Sequence, residues 1–279
     1  MFNSFFYVFM YLLPKSCVSH LVGILVTFKK PKFFIKKSVH IFAKIFKINT
    51  NEAEKPIDSY DNIQDYFVRS LKPNARTINN QSDIIVSPCD GFISECSNIN
   101  KETLIQAKGK KYTLTNLIKD SSETEYFTNG YYCTIYLSPK DYHRFHMPID
   151  GKIYKSIYYP GQLWPVNKWS VNNVEQLFCQ NERVITFIKI NNNINCALIF
   201  VAATIVGGIH LNYAKMQNRK NKLIVEENHG NICLKKGDEL GKFMFGSTII
   251  MLLPKNASKF IKSSGENIKM GESLAILTE

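Results

Sequence analysis

Regular cysteine spacing is missing from this sequence of 279 residues. Its seven cysteines are scattered, odd in number and never arranged as C-x-x-C. Zinc ribbons and disulfide frameworks depend on such spacing, so neither is expected, and a reducing compartment is favoured. With 45% hydrophobic residues, the chain is too apolar for a disordered protein and long enough to bury one large core or two small ones.

Acidic residues are absent from the first fifty positions, which carry eight lysines and no arginine. That segment therefore supplies eight of the twelve excess positive charges of the chain. A long apolar run is absent as well, because residues 1–13 and 18–28 end at proline or lysine, short of the roughly 18–20 residues that span a bilayer. No basic residue precedes the first run and no small-residue cleavage site follows it, so a secretory signal is not expected.

Residues 31–48 have the periodicity of an amphipathic helix, with Phe34 and Phe42 on one side and Lys36 and Lys44 on another. Phenylalanine opposite lysine is typical of a helix that lies in the surface of an anionic bilayer. A helix packed on its own domain with solvated lysines is the alternative. We expect the N-terminal fifty residues to form membrane-associating amphipathic helices. Nucleic acid is not an expected partner, because the chain contains no nucleic-acid-binding motif.

Residues 51–279 differ in texture and are expected to form a second domain. A helix capped at Asp58 or Ser59 should run to about Leu71, and a shorter helix should cover residues 112–118. Short β-branched and aromatic runs follow, separated by Gly, Asn, Pro and charged residues, which predicts strands at residues 84–86, 131–137, 153–159, 184–190, 197–206 and 248–253. The expected fold class is α+β, mainly β, with an antiparallel β-sandwich or barrel as its body.

Two short segments are echoed within the second domain. The sequence PCDGFI at 88–93 recurs as PIDGKI at 148–153, and residues 235–241 resemble residues 269–275. Paired turns of this form favour a pseudo-symmetric body in which equivalent hairpins meet across the core. Chance recurrence is the alternative, because Asp-Gly turns are common.

Two histidines, His143 and His146, form the densest cluster of reactive side chains, in the segment DYHRFHMP at 141–148. A metal site would need a third ligand, and His210 and His229 stand in no ligand spacing. On a strand, side chains three residues apart also point to opposite faces. An acid–base role is favoured instead, because imidazole titrates near neutral pH.

Ser247 follows Gly246 immediately before an apolar run, so it is either part of an ordinary turn or a nucleophile. The flanking glycines of a G-x-S-x-G elbow are missing, which argues against an ordinary α/β-hydrolase. Asp90, His146 and Ser247 could form a relay in which the imidazole takes the hydroxyl proton and the carboxylate fixes the tautomer. Spacing alone does not distinguish Asp90 from its echo Asp150.

Several short motifs occur in order along the chain: PCDG at 88–91, KGKKYTL at 108–114, DYHRFHMP at 141–148, YPGQL at 159–163, NERV at 181–184, VAATIVGGI at 201–209 and FGST at 245–248. Together they resemble the signature segments of bacterial phosphatidylserine decarboxylase proenzymes. The similarity runs from about residue 12 to about residue 275, and the ordered occurrence of so many segments makes it specific.

The resemblance implies a self-processing carboxy-lyase. In that family the Gly246–Ser247 bond would be cleaved by the serine itself, which gives a β chain of residues 1–246 and an α chain of residues 247–279. Ser247 would become a pyruvoyl group, the covalent cofactor, which forms a Schiff base with phosphatidylserine and releases CO₂ to give phosphatidylethanolamine. The resemblance assigns Asp90 and His146 to self-cleavage with Ser247, leaves His143 for decarboxylation, and implies no metal.

The resemblance also implies a place in phospholipid biosynthesis, on the cytoplasmic face of the inner membrane, with peripheral attachment through the basic segment. The expected partners are phosphatidylserine in an anionic membrane and the two cleaved chains for each other, and a homodimer of processed units is left open. Three alternatives remain. They are a membrane-associated serine hydrolase that uses Asp90, His146 and Ser247 on a lipid ester, a carrier module modified on Lys269, and a pyruvoyl enzyme for a soluble amino acid.

Overall fold

The computed structural model describes residues 15–107, 109–190, 194–204, 208–216, 223–255 and 258–278. The apolar run at residues 1–13 lies outside these ranges. The described part is mainly β, with antiparallel sheets and a few helices, as the sequence predicts. In these ranges, none of the helices combines the length and the apolar character that crossing a membrane requires.

The helices of the described ranges are mostly short, and several begin at a side chain that accepts a hydrogen bond from a backbone N–H of the first turn. They are α1 (Lys15–Thr27), α2 (Lys32–Ile45), α3 (Ile63–Phe67), α4 (Leu114–Ile118), α5 (Ser121–Phe127), α6 (Lys168–Asn173) and α7 (Leu177–Gln180).

Two of these helices are shorter than the sequence predicts. The helix expected from Asp58 or Ser59 to Leu71 is reduced to α3, because the Asn62 side chain caps it at the Asp65 N–H and a separate 3-10 turn takes up Ile57–Ser59. The helix expected at 112–118 begins at Leu114, because Thr113 caps it after pairing as the end of a strand.

The strands follow the short β-branched and aromatic runs closely. They are β1 (Ile84–Val86), β2 (Gly91–Asn98), β3 (Thr103–Ala107), β4 (Lys110–Thr113), β5 (Tyr131–Leu137), β6 (Arg144–His146), β7 (Gly151–Tyr159), β8 (Arg183–Lys189), β9 (Asn195–Ala202), β10 (Ile209–Leu211), β11 (Val225–Leu234), β12 (Glu239–Phe243), β13 (Ser247–Leu253), β14 (Ser258–Phe260), β15 (Asn267–Ile268) and β16 (Ser273–Leu277).

One sheet of eight strands dominates the fold, in the order β11-β7-β8-β9-β13-β5-β2-β15. It is open, with β11 and β15 at its edges, so the described strands do not close into the barrel that was one of the two expected forms. Smaller sheets have the orders β1-β16-β14, β10-β12-β6 and β3-β4. Strand β13, which begins at Ser247, lies in the middle of the large sheet and pairs with β5 on one side and β9 on the other.

Both faces of the large sheet are buried. Along β13, Ile249 and Met251 belong to one hydrophobic cluster with residues of β6, β12 and β16, whereas Ile250 and Leu252 belong to a second cluster with residues of β4, α4 and α7. This follows from the strand geometry, in which successive side chains point to opposite faces. The small sheets therefore cover one face and the short helices with the β3–β4 hairpin cover the other. The start of β13 is consequently enclosed by protein.

The two echoed turns occupy comparable places in the large sheet. Gly91 begins β2 and Gly151 begins β7, and each of these strands is second from an edge. A Cβ on Gly91 would lie 2.6 Å from the Tyr136 carbonyl oxygen, and one on Gly151 would lie 2.7 Å from the Lys189 carbonyl oxygen. Both turns thus require glycine because the neighbouring strand passes close by. The pseudo-symmetry of the whole body stays a prediction.

Helix α2 packs on the rest of the chain through one narrow face. Ile35, Val39 and Ala43, spaced four residues apart, are buried. Other apolar side chains of the same helix, among them Phe33 at 76% and Ile45 at 66% exposure, face outward. The helix therefore packs one apolar face against Tyr60 and Tyr66, and the described residues leave a second set of its apolar side chains uncovered.

Candidate active site

Asp90 lies in the turn before β2 and is held by a network of ionic hydrogen bonds. Its buried carboxylate accepts hydrogen bonds from Arg76 Nε at 2.9 Å, from Arg76 Nη2 at 2.5 Å and from the Met270 N–H at 2.9 Å. Arg76 Nη2 also donates to Glu52 at 2.8 Å. Burial lowers the pKa of Arg76, but the hydrogen bonds with the two carboxylates outweigh this and raise it. Asp90 is therefore fixed by a permanently charged partner.

His146, in β6, has both ring nitrogens occupied. Nδ1 lies 2.8 Å from the Gly237 carbonyl oxygen, which can only accept, so Nδ1 carries the proton. Nε2 lies 3.0 Å from the Tyr142 hydroxyl and therefore accepts a hydrogen bond from it. Burial lowers the pKa of His146, and the Gly237 carbonyl, Glu239 and Asp90 partly oppose this. The side chain is thus a neutral imidazole near pH 7.

Asp90 and His146 lie in adjacent pieces of backbone, since the His146 N–H donates to the Pro88 carbonyl at 2.8 Å. Each of their side chains has other hydrogen-bond partners, Arg76 and Met270 for one and Tyr142 and Gly237 for the other. The carboxylate therefore acts on the imidazole through its charge rather than through a direct hydrogen bond.

His143 immediately precedes β6 and differs from His146 in its hydrogen bonds. Its Nδ1 donates to the Asp141 carbonyl at 3.0 Å, so its Nε2 carries no proton. That Nε2 is buried and has no partner among the described residues. Burial, with a contribution from the Arg69 charge, lowers the pKa of His143 to about 3 against the pull of the Asp141 carbonyl. His143 is neutral throughout the physiological range.

Ser247 is fully buried at the start of β13, and its Oγ has no hydrogen-bond partner within the part of the chain that the structure describes. Gly246, which precedes it, has a φ of +35°, in the left-handed region that favours glycine. A Cβ at Gly246 would lie 3.8 Å from the nearest atom, on Ala203, so the glycine is required by backbone conformation rather than by space. The Gly246–Ser247 bond is therefore part of a turn in an unusual conformation with an unbonded hydroxyl beside it.

Phe67, at the end of α3, connects His143 to this turn. Its ring centroid lies 3.9 Å from that of His143 and 4.2 Å from that of Phe245, with the two phenylalanine rings nearly parallel at 3°. The Phe243 N–H also donates to the His143 carbonyl at 2.9 Å. The structure thus brings His143 against the segment that carries Gly246 and Ser247.

The sequence motifs contain Asp90, His143, His146 and Ser247 but give no role to Arg76, Phe67 or Arg69. A signal for the arginines exists, because the chain has only five of them among 35 basic residues. Where lysine is the default solvated charge, an arginine marks a place where the planar guanidinium is needed. No comparable signal exists for Phe67, one of 19 phenylalanines.

The described residues around the two histidines do not provide a set of metal ligands. Within the described ranges, no three His, Cys, Asp or Glu side chains are grouped as metal ligands. The two nitrogens of His146 are engaged with a hydroxyl and a carbonyl, as described above. The polar groups of this region are arranged as acid–base and ionic partners.

Comparison with known proteins identifies the family. A profile of the phosphatidylserine decarboxylase family matches residues 63–276. A phosphatidylserine decarboxylase proenzyme of Francisella philomiragia is 42% identical over 284 residues, which covers 99% of both chains. The proenzymes of Brevibacillus brevis, 38% identical over 94% of both chains, and of Francisella tularensis subsp. novicida, 41% identical over 99% of both chains, are also similar. The serine-hydrolase alternative finds no support among these relatives. The chain belongs to the phosphatidylserine decarboxylase family.

Proposed function

We propose that this protein is a phosphatidylserine decarboxylase proenzyme that cleaves its own Gly246–Ser247 bond and then converts phosphatidylserine to phosphatidylethanolamine and CO₂. The names of the near full-length relatives support the overall activity. The single structural observation that carries the self-cleavage is the buried, unbonded hydroxyl of Ser247 next to a glycine of positive φ. Because no described residue holds that hydroxyl in a hydrogen bond, it is free to attack the carbonyl carbon next to it.

Self-cleavage begins when the Ser247 hydroxyl loses its proton and attacks the carbonyl carbon of Gly246. The amide C–N bond breaks, an ester to Ser247 Oγ forms, and the Ser247 nitrogen becomes an amine. Removal of the Ser247 α-proton then expels the Gly246 carboxylate by β-elimination. The remaining dehydroalanine takes up water and loses ammonia, which leaves a pyruvoyl group at the start of residues 247–279.

His146 is the proposed base for this sequence, with Asp90 supporting it. The carbonyl of Gly237 holds the proton on Nδ1, so Nε2 is the atom that accepts the proton of the serine once Tyr142 releases it. The negative charges of Glu239 and Asp90 favour the imidazolium that results. Arg76 holds the Asp90 carboxylate in place.

His143 is the proposed residue for the decarboxylation stage. It touches the turn that carries Ser247 through Phe67, and its Nε2 is available to a bound substrate. The pyruvoyl group supplies an electrophilic carbonyl that takes up the amine of the substrate and the electron pair left behind by departing CO₂. Phe67 and Phe245, which stack on each other just before this turn, would limit the access of water to it.

The two cleaved chains are proposed to remain one folded unit. Three of the four described strands of residues 247–279 pair with strands of residues 1–246: β13 with β5 and β9, β15 with β2, and β16 with β1. The fourth, β14, pairs with β16. Cleavage at the start of β13 therefore leaves the sheets intact. We also propose a domain division at residue 50, with the catalytic domain in residues 51–279.

Peripheral attachment to the cytoplasmic face of an anionic inner membrane is proposed for the N-terminal segment. Large apolar side chains of α1, α2 and the link between them are exposed: Leu21, Ile24, Leu25, Phe28, Phe33, Phe34, Ile41 and Ile45. Exposed lysines accompany them, including Lys29, Lys30 and Lys36. Apolar side chains that insert among acyl chains and lysines that meet anionic headgroups suit a membrane surface.

Intact mass spectrometry of the purified protein tests the proposal. The wild type should give two chains, residues 1–246 and a residue 247–279 fragment that starts with a pyruvoyl group, and the Ser247→Ala variant should give one chain. Ser258→Ala is the matched control, because Ser258 is also buried and also has an unpartnered Oγ among the described residues. The control should be cleaved as the wild type is. An uncut wild type that releases CO₂ from phosphatidylserine would overturn the proposed mechanism.

A further inference from the structure

One buried arginine lies beside the candidate site without a counter-ion in contact. Arg69 follows α3 and is 3% exposed, and its guanidinium makes a single hydrogen bond, from Nη2 to the Lys140 carbonyl at 3.2 Å. Its Nε and Nη1 are buried and have no partner among the described residues. The guanidinium lies 5.4 Å from the ring centroid of Tyr66, whose buried hydroxyl is likewise unbonded there.

The other arginines that the structure describes, which are buried or partly buried, show how this fold ordinarily satisfies a guanidinium. Arg76 contacts two carboxylates, those of Asp90 and Glu52. Arg144 pairs with Glu239 at 2.9 Å and also donates to the Val68 carbonyl.

Arg183 donates to four backbone carbonyls, those of Leu117, Cys179, Asn181 and Asn116. Arg69 alone in this described set has most of its donors unused. A buried cation in that state is costly unless something anionic reaches it during function.

The nearby acids do not fill this role. Asp90 and Glu52 act on Arg69 through their charge, but their carboxylates are bonded to Arg76. The ligand that matches a guanidinium with free Nε and Nη donors is an oxyanion, which can accept two hydrogen bonds from the planar fork.

The position of Arg69 indicates which oxyanion. Phe67 and Val68, directly before Arg69, pack in one cluster with Val26 of α1 and with Phe245 of the Gly246–Ser247 turn. Arg69 thus follows a segment that packs with both an apolar N-terminal helix and the reacting turn. In phosphatidylserine the phosphodiester likewise joins the acyl-chain part of the molecule to the serine amine and carboxylate.

The carboxylate of the substrate is a poor match for this cation. It leaves as CO₂, and a guanidinium bonded to it would stabilise the charged ground state against departure. The phosphodiester keeps its charge from substrate to product, so its interaction with a fixed cation costs nothing in the chemical step.

We infer that Arg69 receives the phosphodiester of phosphatidylserine and so positions the lipid headgroup over the Gly246–Ser247 turn. This inference rests on the proposed decarboxylase activity. It assigns to this chain a headgroup-binding residue that the reaction mechanism itself does not require.

A comparison of two substrates tests the inference. Phosphatidylserine and an O-alkylserine share the amine, the carboxylate and an apolar chain, but the second has no phosphodiester. In the Arg69→Gln enzyme, kcat/KM for phosphatidylserine divided by kcat/KM for the O-alkylserine should fall by about 10- to 100-fold. This is the size expected for hydrogen bonds to a charged group. Lys72→Gln, which removes an exposed positive charge three residues away, is the matched control and should leave the ratio unchanged.

A binding measurement gives a second readout that does not depend on turnover. Glycerophosphoserine, which carries the phosphodiester without acyl chains, should raise the unfolding temperature of the wild type, and free serine should not. Arg69→Gln should lose this shift. Arg69→Lys keeps the charge without the fork, so its substrate ratio should lie between those of the wild type and the glutamine variant.

Three outcomes overturn the inference. An equal loss on both substrates would mean that Arg69 serves the substrate carboxylate, the carboxylate left on Gly246, or the fold. If Arg69→Gln is not cleaved into two chains, Arg69→Lys takes its place, and a substrate ratio equal to that of the wild type would overturn the inference. An unfolding-temperature shift by glycerophosphoserine as large as in the wild type, in either variant, would overturn it too. A wild type that releases CO₂ from neither substrate would instead refute the proposed decarboxylase activity.

Discussion

Two groups of polar side chains make up the candidate active site, and they differ in how their hydrogen bonds are satisfied. In the first group, Asp90, Arg76 and His146 have partners for their charged and polar atoms. In the second group, Ser247 Oγ and His143 Nε2 are buried without partners among the described residues. Buried groups normally find partners, so the second group carries a cost that the fold does not relieve.

In the proposed mechanism, the first group is a preorganised frame and the second contains the reacting side chains. The first group is stable as it stands and holds a carboxylate near an imidazole. The proposed mechanism satisfies the second group when a bond is rearranged or a substrate arrives. Arg69 belongs with the second group for the same reason. Buried polar groups without partners lower the stability of a protein, and functional sites often retain them because activity requires them.

The largest expected effect concerns the two histidines. Burial lowers the pKa of both imidazoles, that of His143 to about 3, but nearby negative charges oppose the shift at His146, which makes His146 the better candidate base. His146→Ala should therefore slow the appearance of two chains by about 100-fold or more, the usual contribution of a general base. His143→Ala should still be cleaved but should release CO₂ from phosphatidylserine at a greatly reduced rate.

Time courses on denaturing gels, paired with CO₂ release, measure these two effects separately. His40→Ala is the control, because His40 is exposed and bonds only Asp58 among the described residues. If His143→Ala is the variant that stays uncut, the two histidines exchange roles. His143, whose Nε2 has no partner among the described residues, would then be the processing base.

The next effect compares two arginines in the uncut Ser247→Ala background. Arg76→Gln should lower the free energy of unfolding by about 3–5 kcal/mol, because it leaves Asp90 without its buried partner. Arg69→Gln should unfold no earlier than its parent, because it removes a buried cation that has no counter-ion in contact. Urea titration measures both values.

The echo of Asp90 supplies the control for this comparison. Asp150 pairs with Lys235 at 2.9 Å, but both side chains are largely exposed. Lys235→Gln should therefore be indistinguishable from its parent in the same titration. Equal losses in Arg76→Gln and Arg69→Gln would erase the distinction between the frame and the reacting groups.

A smaller effect appears in the pH dependence of stability. The unfolded chain should protonate His143 near pH 6.5, whereas the folded protein holds its pKa at about 3. Between these values the unfolded state binds the extra proton, so His143 contributes stability above pH 6.5 that is lost as the pH falls. The loss should be about 1.4 kcal/mol per pH unit.

The measurement is the difference in unfolding free energy between Ser247→Ala and the same protein with His143→Gln, taken from pH 6 to pH 4.5. That difference should shrink steadily on acidification. A constant difference would show that the imidazole of His143 is not held neutral by burial.

The sequence predicts those strands whose positions depend on a local pattern of side chains. The β-branched runs at 84–86 and 131–137 predict β1 and β5 to the residue. The open sheet could not be distinguished from a barrel, because closure depends on which strands lie at the edges, and the short helices α5, α6 and α7 have too few turns to show a periodicity.

The candidate site was accessible only in part, for a related reason. Motifs name Asp90, the two histidines and Ser247, but the partners of Asp90 come from residues 14 and 180 positions away. The tautomer of His146 is likewise invisible in DYHRFHMP, since it is set by the carbonyl of Gly237, 91 positions away. Contacts between distant segments leave no local pattern to read.

The smallest effect isolates the backbone of the cleavage turn. Gly246 has a φ of +35°, where an alanine costs about 1–2 kcal/mol, although its Cβ would meet nothing closer than 3.8 Å. Gly246→Ala should therefore slow self-cleavage by about 5- to 30-fold, as that strain moves the peptide out of position for Ser247. Gly265→Ala, with a φ of +96° and nothing within 4 Å of its Cβ, should lose stability yet be cleaved normally. If Gly246→Ala is cleaved as fast as Gly265→Ala, the conformation of the turn contributes nothing to self-cleavage.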